Sequence, residues 1–436
     1  MKIAIIGSGI AGISAVANLV NLPKVEITLF EATQKIGGRI FSFQEPVTKD
    51  FIDNGKHIMV GAYQNFFALL NQLGTYHFLE FQKYLNVKLI SKDNCTIFKS
   101  GALGKFSQFI SLLSMKNLSL KDKIALLNFI RNIPHIKSTN KTVAEMLLEN
   151  GQSQNITTNF WEPITLATMN TKIEYASADI FLNILNKTFF SDKNSQKLVF
   201  SKIPLLELLN LNNIISKNNF KVLLSKKIEK ISQTQDNNYM LFTKEEHFGN
   251  FDSVIFAIAP LHLFSILKNS QLQIENKIEN LKKNLEKIKY SPIISLYLWS
   301  DNEFMKDNFS GMLGTEFHWI FKEKSRQNFL YTLTKSSAED IVNRSKQEII
   351  DIAYKDLQSI FKEFQANKIY YNRLIIEKQA TVIISPEMQS KRQEQKLIKG
   401  IYIAGDWTTT DLPATIESAA FSGKKAADFL KYDFQM

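Results

Sequence analysis

Residues 2–12 read Lys2-Ile-Ala-Ile-Ile-Gly7-Ser8-Gly9-Ile10-Ala11-Gly12, a short β-branched run that breaks into a G-x-G-x-x-G turn. The run has the apolar continuity of a strand buried on both faces. Ile13, Val16 and Val20 then recur at helical spacing, and 25–32, VEITLFEA, read as a second strand ending in Glu31-Ala32. Strand, glycine turn, helix and strand closing on an acid is the unit that holds a dinucleotide. Gly7 serves the tight turn, and Gly9 lets backbone N–H groups of Ser8, Ile10 and Ala11 approach a pyrophosphate at the helix N-terminus. Gly12 lets the helix close on the strand. Glu31, 19 residues beyond Gly12, can accept hydrogen bonds from a ribose. The run also superficially suits a signal peptide, but the strand and acid that follow argue against cleavage.

Working outward, residues 31–39, EATQKIGGR, add Gly38-Arg39 soon after the acid. This resembles the flavoprotein extension shared by amine oxidases, protoporphyrinogen oxidases and carotenoid desaturases. The resemblance implies FAD, with the glycines and Arg39 beside the pyrophosphate and flavin. At the other end, residues 400–417, GIYIAGDWTTTDLPATIE, read as a strand stopping at Gly405-Asp406, with Pro413 opening a helix. In such flavoproteins the aspartate bonds the ribityl or phosphate groups, and the helix carrying Thr415 and Ile416 directs its N-terminus at the flavin. Residues 219–260 read as short strands with polar turns, with Ile228 placed where this superfamily has a strand covering the adenine.

The expected fold class is therefore α/β: a discontinuous Rossmann-like FAD-binding domain (1–75, 200–268 and 393–436) with an inserted α+β substrate domain (76–199 and 269–392). In the first insert, residues 104–133 alternate apolar residues with lysines and predict two amphipathic helices around Leu118. Such helices face a core or lie on a membrane surface. The stretches 160–171 and 291–299 are expected to line the substrate cavity.

Composition narrows the function classes. The chain of 436 residues carries a net charge of +11, but its lysines form no single block and do not alternate with aromatics, so no nucleic acid partner is expected. One cysteine, Cys95, excludes an internal disulfide framework and fits a reducing compartment. Six scattered histidines at no helical ligand spacing predict no metal site.

Residues 50–64, DFIDNGKHIMVGAYQ, carry the nearest family likeness. With the A-G-D-W-T and L-P-A-T-I-E run at 404–417, they are similar to the D-N-G-x-H…G-A-Y and A-G-D-W-T…L-P-A-T-I-E-x-A patterns of hydroxysqualene dehydroxylases. Plant-type phytoene desaturases share a looser form. The likeness implies that reduced FAD delivers hydride to the carbinol carbon of hydroxysqualene, giving squalene on the route to hopanoids or sterols. A hydrophobic isoprenoid is the implied substrate, and the motifs name no electron donor. The expected location is cytoplasmic, peripherally on the inner face of a membrane.

Gly55 and His57 of this stretch are expected beside the flavin. His57 either positions the flavin or backbone, or protonates the leaving group as the catalytic acid, since imidazole titrates near neutrality. Asp53 reads as a turn or cofactor-supporting acid, and Tyr63 as packing. A carotenoid-type desaturase is the second enzyme reading. From another class, GDP-dissociation inhibitors keep this fold without flavin and carry prenyl groups; the intact Gly9, Glu31, Arg39 and Asp406 argue against that.

Overall fold

The structure is a computed structural model that describes residues 1–99, 115, 118–270, 272, 275–326 and 328–436. The first of its two large sheets is built on β1 (Lys2–Ile6) and β2 (Glu26–Phe30), joined by α1 (Ile10–Leu19). A six-stranded sheet runs in the order Phe220–Leu223, β2, β1, Ser253–Phe256, Ile401–Ile403 and Lys396–Ile398. The first five strands are parallel and the last, at the edge, is antiparallel. Strands from three distant stretches of chain thus meet in one sheet.

Both faces of this sheet are covered, which is why its strands read as unbroken apolar runs. Ile3 and Ile5 point to one side, where α1 and the helix Ile416–Phe434 bury Ile13, Val16, Ala420, Ala427 and Leu430. Ala4 and Ile6 point to the other, with Phe30, Ile231, Leu263 and Ile266. Ile228 lies in that second core but sits in an extended segment before the strand Lys230–Gln233, not within it.

A second, seven-stranded sheet runs in the order Ile369–Val382, Tyr290–Ser300, Phe329–Ser336, Trp319–Lys324, Phe309–Met312, Asn86–Ile90 and Cys95–Lys99. Residues 86–99 and 290–382 come from the two inserted stretches, and they join where Phe309–Met312 pairs with Asn86–Ile90 in parallel. One face packs Ile294, Leu296 and Leu298 against the helix Lys346–Ile360. The other carries Tyr297 and Trp299 and receives Ile52 from the stretch 50–64.

One sequence expectation is corrected. Pro413 does not open a helix: residues 412–414 are a buried bend after Asp411 at φ 56°, and the helix starts at Ile416, where Thr415 Oγ1 accepts the Ser418 N–H. A threonine whose hydroxyl meets an otherwise orphaned N–H makes a better N-cap than the proline makes a first turn. Of the two amphipathic helices around Leu118, the first lies outside the described residues. The second is Leu120–Asn132, fixed by a reciprocal Ser119–Asp122 capping box.

Candidate cofactor and active site

The turn after β1 is shaped for something other than its own chain. Gly7 has φ 100°, and a Cβ there would lie 2.4 Å from the Ala257 carbonyl oxygen. A Cβ on Gly12 would lie 1.9 Å from the Gly7 carbonyl oxygen, so the fold itself demands these two glycines. Gly9 is different. Its backbone is at φ −70°, ψ 179°, open to any residue, and a Cβ would find no described protein atom nearer than Gly38 Cα at 3.9 Å.

The first turn of α1, holding Ile10, Ala11 and Gly12, has no side-chain cap and no acidic residue. Its N–H groups and its positive dipole end are left for an external anion. A turn left open at Gly9 above uncapped N–H groups fits a pyrophosphate, and so fits FAD. The resemblance to flavoproteins is met here by geometry.

The other motifs gather around this cradle. Ser8 donates its N–H (3.0 Å) and its hydroxyl (2.6 Å) to Glu31, whose other oxygen accepts from the N–H and hydroxyl of Thr33. Glu31 is therefore held by protein donors on both carboxylate oxygens, the Thr33 hydroxyl being shared with the Lys35 carbonyl. Ala32 follows, exposed. Gly37 donates to the Ser8 carbonyl, which brings Gly38 (φ 60°) over Gly9. Arg39 then reaches across 367 residues to Asp406, Nη2 to Oδ1 at 2.6 Å. The carboxylate of Asp406 holds the Arg39 guanidinium above its ordinary pKa, so it stays charged beside the cradle.

Asp406 is itself placed by residues that the sequence reading missed. Arg392, buried, donates to the carbonyl oxygens of Asp406 and Leu412 and to Thr410. Burial pushes its pKa down to about 10, still well above neutrality. Ser422 Oγ accepts the Gly405 N–H at 2.9 Å. An arginine that folds inward leaves no periodicity in sequence, and only the carbonyls it meets reveal its role.

The stretch 50–64 bridges the two halves. Asn54 donates to the Arg39 carbonyl, and its own N–H bonds the Phe41 carbonyl. Asp53 accepts from Ser42 Oγ and the Leu205 N–H, and its carbonyl accepts from Tyr297. Asp50 accepts from Trp299 Nε1 and the Arg326 N–H, while Lys56 pairs with Glu323. Asp50 and Asp53 are thus latches onto the seven-stranded sheet. Gly55 lies between them and His57, close to Ser295.

Tyr63, with Asn65 and Phe66, meets the end motif. Glu417, buried, accepts from the N–H and side chain of Asn65 and from the Phe66 N–H, capping the helix Gln64–Leu73. Tyr63 hydrogen-bonds Thr415, and burial raises its pKa above the ordinary phenol value. The pattern G-A-Y and the pattern L-P-A-T-I-E are therefore one hydrogen-bonded assembly. Ile416 stands half-buried at the start of that helix.

Burial lowers the His57 pKa, with nearby Asp53 opposing and Lys56 reinforcing that direction. The imidazole is neutral at pH 7, presenting one N–H and one lone pair. Neither ring nitrogen makes a hydrogen bond among the described residues. A neutral ring suits a positioning contact better than the delivery of a proton.

Comparison with known proteins agrees with this geometry. The model of flavin-containing amine oxidoreductases matches residues 10–430. A hydroxysqualene dehydroxylase from Zymomonas mobilis is 22% identical, covering 97% of this chain and 97% of its own. A chloroplastic 15-cis-phytoene desaturase from Solanum lycopersicum is 24% identical, covering 100% of this chain and 78% of its own. Among solved structures, cyclohexylamine oxidase from Brevibacterium oxydans superposes with a TM-score of 0.72 at 16% identity, covering 100% of this chain and 99% of its own.

Proposed function

The chain belongs to the flavin-containing amine oxidoreductase family, and from that premise we propose that this FAD-dependent oxidoreductase reduces hydroxysqualene to squalene. One observation carries the reading. The two segments similar to hydroxysqualene dehydroxylases, 53–63 and 404–417, form a single bonded assembly beside the Gly9 cradle, through Tyr63 to Thr415 and through Asn54 to Arg39, which pairs with Asp406. A relative bearing that name and matching this chain end to end supports it further.

In this reading residues 1–75, 200–268 and 393–436 hold FAD, and 76–199 with 269–392 enclose the isoprenoid. Gly9 and the first turn of α1 take the pyrophosphate, Glu31 the ribose, and Arg39 with Asp406 the groups nearer the ring. FAD, when bound and reduced, supplies a hydride. The carbinol C–O bond breaks with its electron pair leaving on oxygen, which takes one proton and departs as water, while carbon gains the hydride. Gly55 and His57 border that carbon; His57, neutral, orients the ring or substrate.

Purified protein loaded with dithionite-reduced FAD is expected to convert hydroxysqualene to squalene, read by gas chromatography. Phytoene turnover under oxidising conditions, with no squalene formed, would replace this reading with a desaturase. Similarity to the phytoene desaturases makes that the second reading.

We further propose that the enzyme meets its substrate at a membrane surface. No helix among the described residues is long and apolar enough to cross a membrane. The helix Leu120–Asn132 instead exposes Leu120 (72%) and Ile124 (52%), one turn apart and beside Lys121 and Lys123. Flotation with anionic vesicles is expected, weakened by Leu120→Asp with Ile124→Asp; equal flotation of that variant would count against the helix as the contact.

A further inference from the structure

The helix Glu162–Met169 ends on Asn170, which adopts the left-handed conformation (φ 48°, ψ 38°) that closes many helices. A cap of this kind accounts for an asparagine or a glycine, but not for what the side chain does. Asn170 is buried, and its amide meets three separate stretches of chain. Nδ2 donates to the Ser291 carbonyl (3.3 Å) and to Thr381 Oγ1 (2.9 Å), while Oδ1 accepts the Ser337 N–H (2.8 Å). A carbonyl can only accept and an N–H can only donate, so this one orientation of the amide satisfies both.

The bond to Thr381 falls where the ladder of the second sheet is interrupted. Ser291 pairs with Thr381 and Ile293 with Glu377, so Lys378, Gln379 and Ala380 together stand opposite Pro292. Proline has no N–H to give a neighbouring strand, and the extra residues bulge out of the pairing. Lys378 and Gln379 are exposed, so packing does not hold them in place. Thr381, the next residue after the bulge, is the point that Asn170 fastens.

Ala380 connects this bulge to the cofactor cradle. Its carbonyl accepts from Arg39 Nη1 at 3.1 Å, while Arg39 Nη2 pairs with Asp406. A planar guanidinium held through two of its nitrogens is fixed in orientation as well as in position. A continuous path therefore runs from the inserted helix Glu162–Met169 through Asn170, Thr381 and Ala380 to Arg39.

We propose that Asn170 is a positioning residue for the cofactor: through Thr381 it fixes the bulge at 378–380, and through the Ala380 carbonyl it sets the Arg39 guanidinium against Asp406 and FAD. The proposal rests on the placement of Arg39 beside FAD given above. It adds the residue of the inserted stretch that holds the arginine there, and so ties the geometry of the cofactor site to the helix Glu162–Met169.

The test is a titration of the FAD-stripped full chain with FAD, read by quenching of flavin fluorescence. Thr381→Val keeps the branched shape and the helix cap at Asn170 but removes the acceptor. It should weaken FAD binding roughly 3- to 10-fold, the worth of about one hydrogen bond. Thr381→Ser retains the hydroxyl and should bind FAD within about twofold of the unsubstituted protein. Arg39→Met keeps the stem and removes the guanidinium, with the Gly9 cradle intact. In that background Thr381→Val should change FAD affinity by less than about twofold, because the path then ends on no donor. Asn170→Gly, which suits the left-handed backbone and deletes all three side-chain bonds, should weaken FAD at least as much as Thr381→Val.

A Thr381→Val protein that binds FAD as tightly as the unsubstituted chain overturns the proposal. So does a Thr381→Ser protein as weak as the valine variant, or an equal loss from Thr381→Val with and without Arg39, either of which would mark a packing role. The placement of Arg39 is judged separately by Arg39→Met alone: unchanged FAD affinity in that variant overturns it, whatever Thr381→Val does.

Discussion

Gly9→Val is expected to yield a folded protein that no longer retains FAD. The backbone at Gly9 is extended and in an allowed region for any L-residue, and a Cβ there meets no described atom closer than 3.9 Å. The chain can therefore accept the valine, with a stability change of about 1 kcal/mol or less. The cofactor cannot. A phosphate oxygen bonded to the N–H groups of the first turn of α1 sits about 2.9 Å from them, in the space that the valine methyls would fill.

Displacing the pyrophosphate removes several charge-assisted hydrogen bonds together, so FAD affinity should drop at least about 1,000-fold. The purified variant should be colourless and refractory to reconstitution, with an unchanged far-ultraviolet circular dichroism spectrum. Stoichiometric FAD in that variant would contradict the placement of the cofactor, and so would misfolding.

What the sequence carried of this arrangement follows from how local each signal is. Residues 2–32 were legible because a buried parallel strand, a glycine turn and a helix each leave a mark within a few positions, and the acid falls at a fixed distance. The pairing of Arg39 with Asp406 was visible only as two motifs at opposite ends of the chain. Their contact needed the fold.

Residues that work by meeting backbone were harder to read. Glu417 belongs to a quoted motif, yet nothing in L-P-A-T-I-E says that its carboxylate caps a helix 352 residues earlier. Arg392 had no local mark at all. Asp53 accepts from Ser42 and from the Leu205 N–H, partners 11 and 152 residues away that no local pattern announces. The start of the last helix was misplaced because proline is a strong local cue, while the Thr415 cap depends on where the Ser418 N–H points.

Gly423→Val should produce the opposite outcome to Gly9→Val, a chain that fails to fold. A Cβ at position 423 would lie 2.1 Å from the Ala11 carbonyl oxygen and 2.9 Å from Ser14 Cβ. The first of these is main chain within α1, so no rotamer change relieves it. Overpacking commonly costs about 1–3 kcal/mol where neighbouring side chains can shift, and more where they cannot. Here the helix Ile416–Phe434 must move away from α1, breaking the bond from Ser14 Oγ to the Ala420 carbonyl and opening the core around Ala427 and Leu430.

A loss of about 5 kcal/mol or more is expected, comparable to the whole stability of many domains. The protein should appear in the insoluble fraction, and refolded material should lack a cooperative urea transition. Gly423→Ala carries the same Cβ clash without the further methyls and should also be strongly destabilised, though less than the valine variant. The same displacement carries Ser422 away from the Gly405 N–H, and with it the anchor for Asp406. Any soluble Gly423→Ala protein should therefore bind FAD more weakly than the unsubstituted chain. A soluble Gly423→Val protein that unfolds cooperatively within about 2 kcal/mol of the unsubstituted chain would mean that the two helices do not pack this closely.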